Sequence, residues 1–211
     1  MLKVKVDVSE FDDQFQLSPE HWIAFERSKN LASGVPLCDL VEIAKKTTSP
    51  NGEKNLVLDT GNARYGLLDL GIGPADEKKR TSNKKILHEG DVIISRLRPY
   101  LRQVAYIPKG TFELLGIEDL YCSTEFFVLR PISNDSISFL VPWLLSDPVQ
   151  LMLGEAATGG HHPRFDVELL IGSAVAPAVV SPKISHQYEN LFRRHLEGQC
   201  RLSEMLSQTP I

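Results

Sequence analysis

Three short apolar runs stand out in an otherwise mixed chain. Val92-Ile93-Ile94, Val104 to Ile107 and Phe126 to Leu129 are rich in β-branched and aromatic residues, a composition that suits strands. Gly90-Asp91 precedes the first run and Pro108-Lys109-Gly110 follows the second, and both are turn signals. The stretch 90–110 therefore predicts a hairpin whose connection carries Arg96, Arg98 and Arg102. Pro99 fixes its own φ and pushes Arg98 out of helical space, so the arginines should leave the strand on an extended turn. Tyr121 to Pro131 predicts a single strand, on which Glu125 either opposes a central arginine or, as is the safer expectation, faces water.

Upstream, near-alternation at Val35, Leu37, Val41 and Ile43 predicts a strand over 35–43, and Asn55–Asp59 predicts another. Lys45 to Gly52 is a polar loop between them. Thr111–Leu120 reads as a connector. Residues 138–145 and 148–157 read as helical, with a break at Pro142 and a cap at Asp147-Pro148. Leu144, Leu145, Val149, Leu151, Met152 and Leu153 should pack into the core. Asp166 should cap a short helix over 167–170, and 171–180 reads as strand or extended chain. A last helix starts at Ser181-Pro182. Along it Tyr188, Leu191, His195, Gly198, Leu202 and Met205 recur at spacings of three and four, a coiled-coil-like seam. Its expected partner is another helix, either the His21–Lys29 segment that follows Ser18-Pro19 or a second copy of the chain. The fold class expected is α+β: a twisted, mostly antiparallel sheet with short helices and a long C-terminal coiled-coil-like helix. The expected organisation is a lead-in over 1–34, a main domain over 35–180 and a terminal helix over 181–211.

Charge changes this picture. The chain has 211 residues and a formal net charge of −4, which speaks against a simple nonspecific DNA binder. The distribution is uneven. Lysines and arginines at 78, 79, 80, 84, 85, 96, 98 and 102 face only Glu89 and Asp91, whereas the acids between Phe112 and Glu155 face only Arg130. No apolar stretch approaches a membrane span and the N-terminus lacks a signal-peptide core, so a cytoplasmic protein with no membrane partner is expected. Cys38, Cys122 and Cys200 are far apart and are expected to be reduced. No histidine or cysteine spacing suggests a metal.

Arginine offers a planar fork that suits phosphate oxygens and the guanine edge; the alternative is a solvated loop whose arginines pair with carboxylates. Arg64-Tyr65 could hold a base on the ring and the backbone on the cation, or the tyrosine could pack on its own loop. Thr158, Gly159, Gly160, His161, His162 and Arg164 form a small-residue loop ending at Phe165. Its glycines allow close approach to a ligand, and its histidines and arginine could donate to phosphate or base edges; otherwise it is a connector anchored by Phe165. Lys45 and Lys46 complete the candidate DNA-binding set. Asp69-Leu70-Gly71-Ile72-Gly73 looks like the first motif of an S-adenosylmethionine-dependent methyltransferase. The third glycine is missing, however, and 75–85 has no apolar helical stripe. No cofactor is expected.

Taken in order, these pieces resemble the target-recognition domain of type I restriction-modification specificity subunits. The matching stretches are G-D-V-I-I-S-R-L-R-P at 90–99, Q-V-A-Y-I at 103–107, S-T-E-F-F-V-L-R-P at 123–131, A-A-T-G-G-H-H-P-R-F at 156–165 and A-P-A-V-V-S-P-K-I-S-H-Q at 176–187. The resemblance implies a non-catalytic reader of double-stranded DNA. In that family two recognition domains, joined by antiparallel spacer helices, each read half of a split site, and the helices dock the modification (methyltransferase) subunits. By that likeness Arg96, Arg98 and Arg102 lie in one DNA-facing loop, Thr158 to Arg164 in another, and 182–207 is the spacer. One recognition domain with one helix is what a half-length subunit would show, so a homodimer through Tyr188, Leu191, His195, Leu202 and Met205 is expected. Two other classes stay open: a methyltransferase-like enzyme, and a protein-interaction module suggested by the acidic 112–155 region.

Overall fold

The structure, a computed structural model, describes residues 34–71 and 82–208. The expected helix over His21–Lys29, the basic residues 78–80 and the Ile72-Gly73 pair lie outside the described residues. The strands are β1 (Val35–Pro36), β2 (Val41–Ile43), β3 (Thr47–Thr48), β4 (Asn55–Leu58), β5 (Ala63–Arg64), β6 (Leu67–Leu68), β7 (Lys84–Leu87), β8 (Val92–Ser95), β9 (Val104–Tyr106), β10 (Asp119–Cys122), β11 (Phe126–Pro131) and β12 (Ala174–Val175). The helices are α1 (Thr111–Leu115), α2 (Leu140–Leu145), α3 (Asp147–Ala156), α4 (Val167–Ile171) and α5 (Pro182–Ser207). The fold is α+β.

A central antiparallel sheet runs β2-β11-β8-β9, and a second sheet runs β3-β7-β10-β4 with β10 and β4 parallel. The apolar runs lie in the central sheet because both of its faces are covered. Val92, Ile94, Val104, Tyr106, Phe127 and Leu129 pack with Leu144, Met152 and Leu170 from the helices and with Phe165 from the loop before α4. Their neighbours Ile93, Ala105, Ile107, Phe126 and Val128 pack instead with Leu58, Leu87, Leu120 and Cys122 of the second sheet. Strand side chains alternate, so a two-sided core demands an unbroken apolar run. Cys122 belongs to the inner core, and burial pushes its thiol up to about 12, which leaves it inert as a nucleophile.

The predicted hairpin forms, with Val92 opposite Tyr106 and Ile94 opposite Val104. Two predicted strands are each divided. Residues 35–43 break at a 3-10 turn over Leu37–Asp39, because β1 pairs with β12 while β2 pairs with β11. Residues 121–131 break at Ser123, whose carbonyl accepts from Phe126 N–H at 3.1 Å, so β10 and β11 enter different sheets. The connector 111–120 contains α1 and the start of β10. Residues 171–180 hold only the two-residue β12. No break occurs at Pro142: it lies in the first turn of α2, where backbone N–H groups lack intrahelical acceptors. The N-cap position of α3 is Ser146, one residue before the expected Asp147. Leu151 is 54% exposed rather than packed.

The terminal helix starts where predicted, but its packed face is not the predicted seam. Ser138 Oγ donates to Ser185 O at 2.7 Å, Phe192 lies 5.6 Å from the Tyr106 ring, and Leu196 is buried. Gln199 donates to Leu68 O at 2.9 Å and accepts from Leu70 N–H at 3.1 Å. Tyr188 stacks on Phe192 and His195 meets Gln199, whereas Leu191, Leu202 and Met205 are 58%, 47% and 61% exposed. The chain's own sheet therefore claims one face of α5 and leaves the other to solvent. No described helix is long and apolar enough to cross a membrane.

At the start of β8 the fully buried Asp91 takes Arg130 Nε at 3.0 Å and Nη2 at 2.8 Å, and also accepts His88 N–H at 2.7 Å. Replacing Asp91 with Ala would strand the Arg130 charge in a largely desolvated site. The expected loss is about 3–5 kcal/mol, measured as a lower urea midpoint at unchanged m-value.

Candidate nucleic-acid interface

The connection between β8 and β9 is a single 3-10 turn, Pro99–Leu101, closed by Leu101 N–H to Arg98 O at 2.9 Å and Arg102 N–H to Pro99 O at 2.8 Å. Arg98 and Arg102 flank it at φ 49° and 50°, in left-handed rather than extended backbone. Pro99 does exclude the right-handed helical region from Arg98, but tertiary hydrogen bonds choose what remains. Arg98 N–H donates to Pro163 O at 2.9 Å, and Arg102 O accepts from Tyr65 N–H at 3.1 Å. Tyr65 is also left-handed, at φ 49°. All three non-glycine residues with positive φ among the described residues thus meet at one junction, where strain held by surrounding contacts points to function.

The loop before Phe165 is built into the same junction. Thr158 and Arg164 exchange two backbone hydrogen bonds of 2.9 Å, Leu97 bridges Arg164, and Phe165 N–H donates to Arg96 O at 3.2 Å. Phe165 is buried edge-on against Phe127, centroids 5.5 Å apart, and anchors the loop. Gly159, Gly160, His161 and His162 are exposed beside it. The segments 64–65, 96–102 and 158–164 therefore form one surface at one end of the central sheet. Lys45 and Lys46 are exposed and continue from β2 towards the Phe126–Phe127 end of β11. Among the described residues no hydrogen bond or ion pair ties them to the arginine loops.

Most of the arginines face carboxylates. Arg164 Nη2 lies 2.7 Å from Glu125 Oε1 and its Nε 3.0 Å from Oε2. Arg102 Nη2 lies 2.8 Å from Asp147 Oδ1, and its Nη1 donates to Leu145 O at 3.3 Å. Arg96 lies 3.9 Å from Asp166 and Arg64 3.5 Å from Asp69. Arg98 differs: among the described residues its partners are His161 O at 3.2 Å and His162 Nδ1 at 2.9 Å. A guanidinium only donates, so His162 Nδ1 is the acceptor in this contact. Phe127 has Arg96 at 5.6 Å and Lys85 at 5.7 Å from its ring, and Lys85 Nζ donates to Phe126 O at 2.6 Å. Burial, helped by Arg96, pushes the Lys85 ammonium below its ordinary value.

Glu125 is thus an ion-pair partner and not the solvent-facing side chain expected of its strand. Sequence reasoning took Asp147 only as a helix cap and Lys85 only as part of a basic run, and it passed over Tyr100, which is 66% exposed at the tip of the turn. The one available signal was the aromatic residue directly after Pro99. Asp69 closes its own turn, with Oδ1 accepting Gly71 N–H at 3.0 Å, and β6 pairs with β5 in a two-stranded antiparallel ribbon. An antiparallel ribbon is not the parallel strand that a methyl-donor cradle starts from. Among the described residues no three His, Cys, Asp or Glu side chains gather as metal ligands.

Among solved structures, the chain is similar to a chain from a type I restriction-modification system, in a structure that addresses complex assembly and conformational transition. The TM-score is 0.53 at 20% identity, over 83% of this chain and 46% of that one. At that identity the likeness is one of fold, the fold that the ordered motifs of this sequence resemble, and the chain spans about half the length of its neighbour. No family model matches the chain, and no curated protein matches it.

The Glu125–Arg164 pair sets a pH dependence. The Arg164 hydrogen bond, with the Arg164 and Arg96 charges, outweighs burial and holds the Glu125 carboxyl below its ordinary value of 4.5. The unfolded chain therefore binds this proton first. The stabilisation is fully present above the ordinary value and is lost as pH falls through the folded one. Urea midpoints between about pH 3 and pH 6 should fall less steeply on acidification in Glu125→Gln than in the wild type.

Proposed function

We propose that the chain is a sequence-specific reader of double-stranded DNA, acting in the cytoplasm as the specificity subunit, or half of one, of a type I restriction-modification system. It directs a separate modification (methyltransferase) subunit to its site and is not itself a catalyst. One observation carries the reading: three loops far apart in sequence, 64–65, 96–102 and 158–164, are locked together by backbone hydrogen bonds at one end of a two-sided sheet. Rigidly held loops rich in arginine, histidine and glycine are suited to presenting donors to base edges and phosphates. Arg98, which has no carboxylate partner among the described residues, is the side chain best placed to read guanine.

In the half-subunit reading each copy carries one set of arginine loops and one long helix. Two copies related by a two-fold axis would restore two reading surfaces. The solvent side of α5, with Leu191, Leu202 and Met205, offers the pairing face over a helix of roughly 39 Å. Tyr188 and His195, expected in the same seam, are half-buried against Phe192 and Gln199 and shape its edge. The ion pairs of Arg64, Arg96, Arg102 and Arg164 favour a second reading, a protein-interaction module that keeps the fold without DNA.

Selection from a random duplex pool separates the two readings. At low and near-physiological salt the purified chain, alone or with its modification subunit, should enrich a split palindrome. Arg98→Ala should relax one position of that motif and cost about 1–3 kcal/mol of affinity. Absence of any motif under all these conditions favours the interaction module. Light scattering at micromolar concentration should give twice the 23.6 kDa chain mass, reduced to the single mass by Leu202→Glu.

A further inference from the structure

A DNA-reading surface on a chain of net charge −4 needs an electrostatic explanation, and the Glu125–Arg164 pair supplies one. Both Glu125 oxygens meet Arg164, at 2.7 and 3.0 Å, in the parallel fork that a guanidinium otherwise offers to a phosphate. The carboxylate does not hang from a free loop. Glu125 N–H reaches Ser123 Oγ at 3.3 Å, and its carbonyl accepts Arg96 N–H at 2.9 Å. Arg164 in turn has its third donor group, Nη1, on His162 O at 3.2 Å. The pair thus joins the turn between the two sheets to the loop that carries His161 and His162.

We infer that Glu125 is a specificity-determining residue: its two-pronged hold withdraws Arg164 from DNA phosphates and fixes the 158–164 loop for base contact. This rests on the DNA-reading function proposed above. DNA of any sequence offers phosphates, so an arginine free to take one strengthens binding everywhere. Holding it on an internal carboxylate removes one sequence-independent contact while keeping the geometry that reads bases. Arg164 is accordingly a positioning residue and not a DNA ligand. Discrimination then comes partly from weakening binding to the wrong sequences, and the acidic balance of the chain serves it.

The test measures affinity of the full chain for a short random-sequence duplex and for the selected motif across a salt series. Glu125→Gln should bind random duplex severalfold more tightly at low salt. Its plot of log affinity against log salt should steepen by about 0.9, and the advantage of the selected motif should shrink. The gain should vanish in Glu125→Gln/Arg164→Gln. Glu118→Gln, which removes an equal charge at the other end of β10, should match the wild type. Arg164→Gln alone gives an arm independent of the first variant's folding: random-duplex slope unchanged, motif relaxed. A slope that falls by about 0.9 in Arg164→Gln, or is unmoved in folded Glu125→Gln, overturns the inference and leaves DNA reading intact. A wild type that binds neither duplex at any salt overturns both.

Discussion

β8 and β11 have no solvent side, and the rest of the structure follows from that. Their odd and even residues feed two different cores, so a slip of one residue would exchange the contents of both. The register is therefore held along its length, with Val92 opposite Leu129 and Phe126 opposite Ser95. That last pairing ends the ladder at Arg96 and Glu125, whose backbones meet at 2.9 Å. The position of the arginine loop is in this sense a product of core packing several residues away.

The two ends of the central sheet use charge differently. At the Gly90 end, Asp91 and Arg130 form a pair with the carboxylate fully buried. Removing one partner there leaves a charge without compensation, which makes the site structural. At the other end, the pairs of Arg96, Arg102 and Arg164 are at least partly exposed. Such part-exposed pairs add little to stability, too little to explain the concentration of arginines there. Strain points the same way, since Tyr65, Arg98 and Arg102 all hold left-handed backbone at this end. This end of the sheet is rigidly built although its exposed ion pairs add little to folding.

α5 shows how one helix serves two environments. Phe192, Leu196 and Gln199 bind it to the chain's own sheets, and Leu191, Leu202 and Met205 lie on its solvent side. The same element therefore fixes the distance between the arginine loops and its own solvent side. The fold that holds α5 against the sheets is similar to that of a chain from a type I restriction-modification system.

Local rules made a large part of this legible. The β8–β9 hairpin, the start of α5 at Ser181-Pro182 and the anchoring by Phe165 all follow from short-range composition and from proline and glycine signals. So does the apolar character of the central strands, because burial on both faces leaves no polar positions to disguise it. Where neighbouring residues of one run belong to different sheets, as at Leu37 and Ser123, composition alone read straight through the break. The site divides in the same way. Arg96, Arg98 and Arg102 were visible because they share one turn. The partnership of Glu125 with Arg164 spans 39 residues, as does that of Asp91 with Arg130, and no spacing rule reaches so far. Sequence by itself determined the central hairpin, the apolar strands and the start of the last helix, since those depend on neighbours in the chain. Only the tertiary structure decided which arginines are held by carboxylates and which meets a histidine instead, because that depends on which loops the two-sided core brings together.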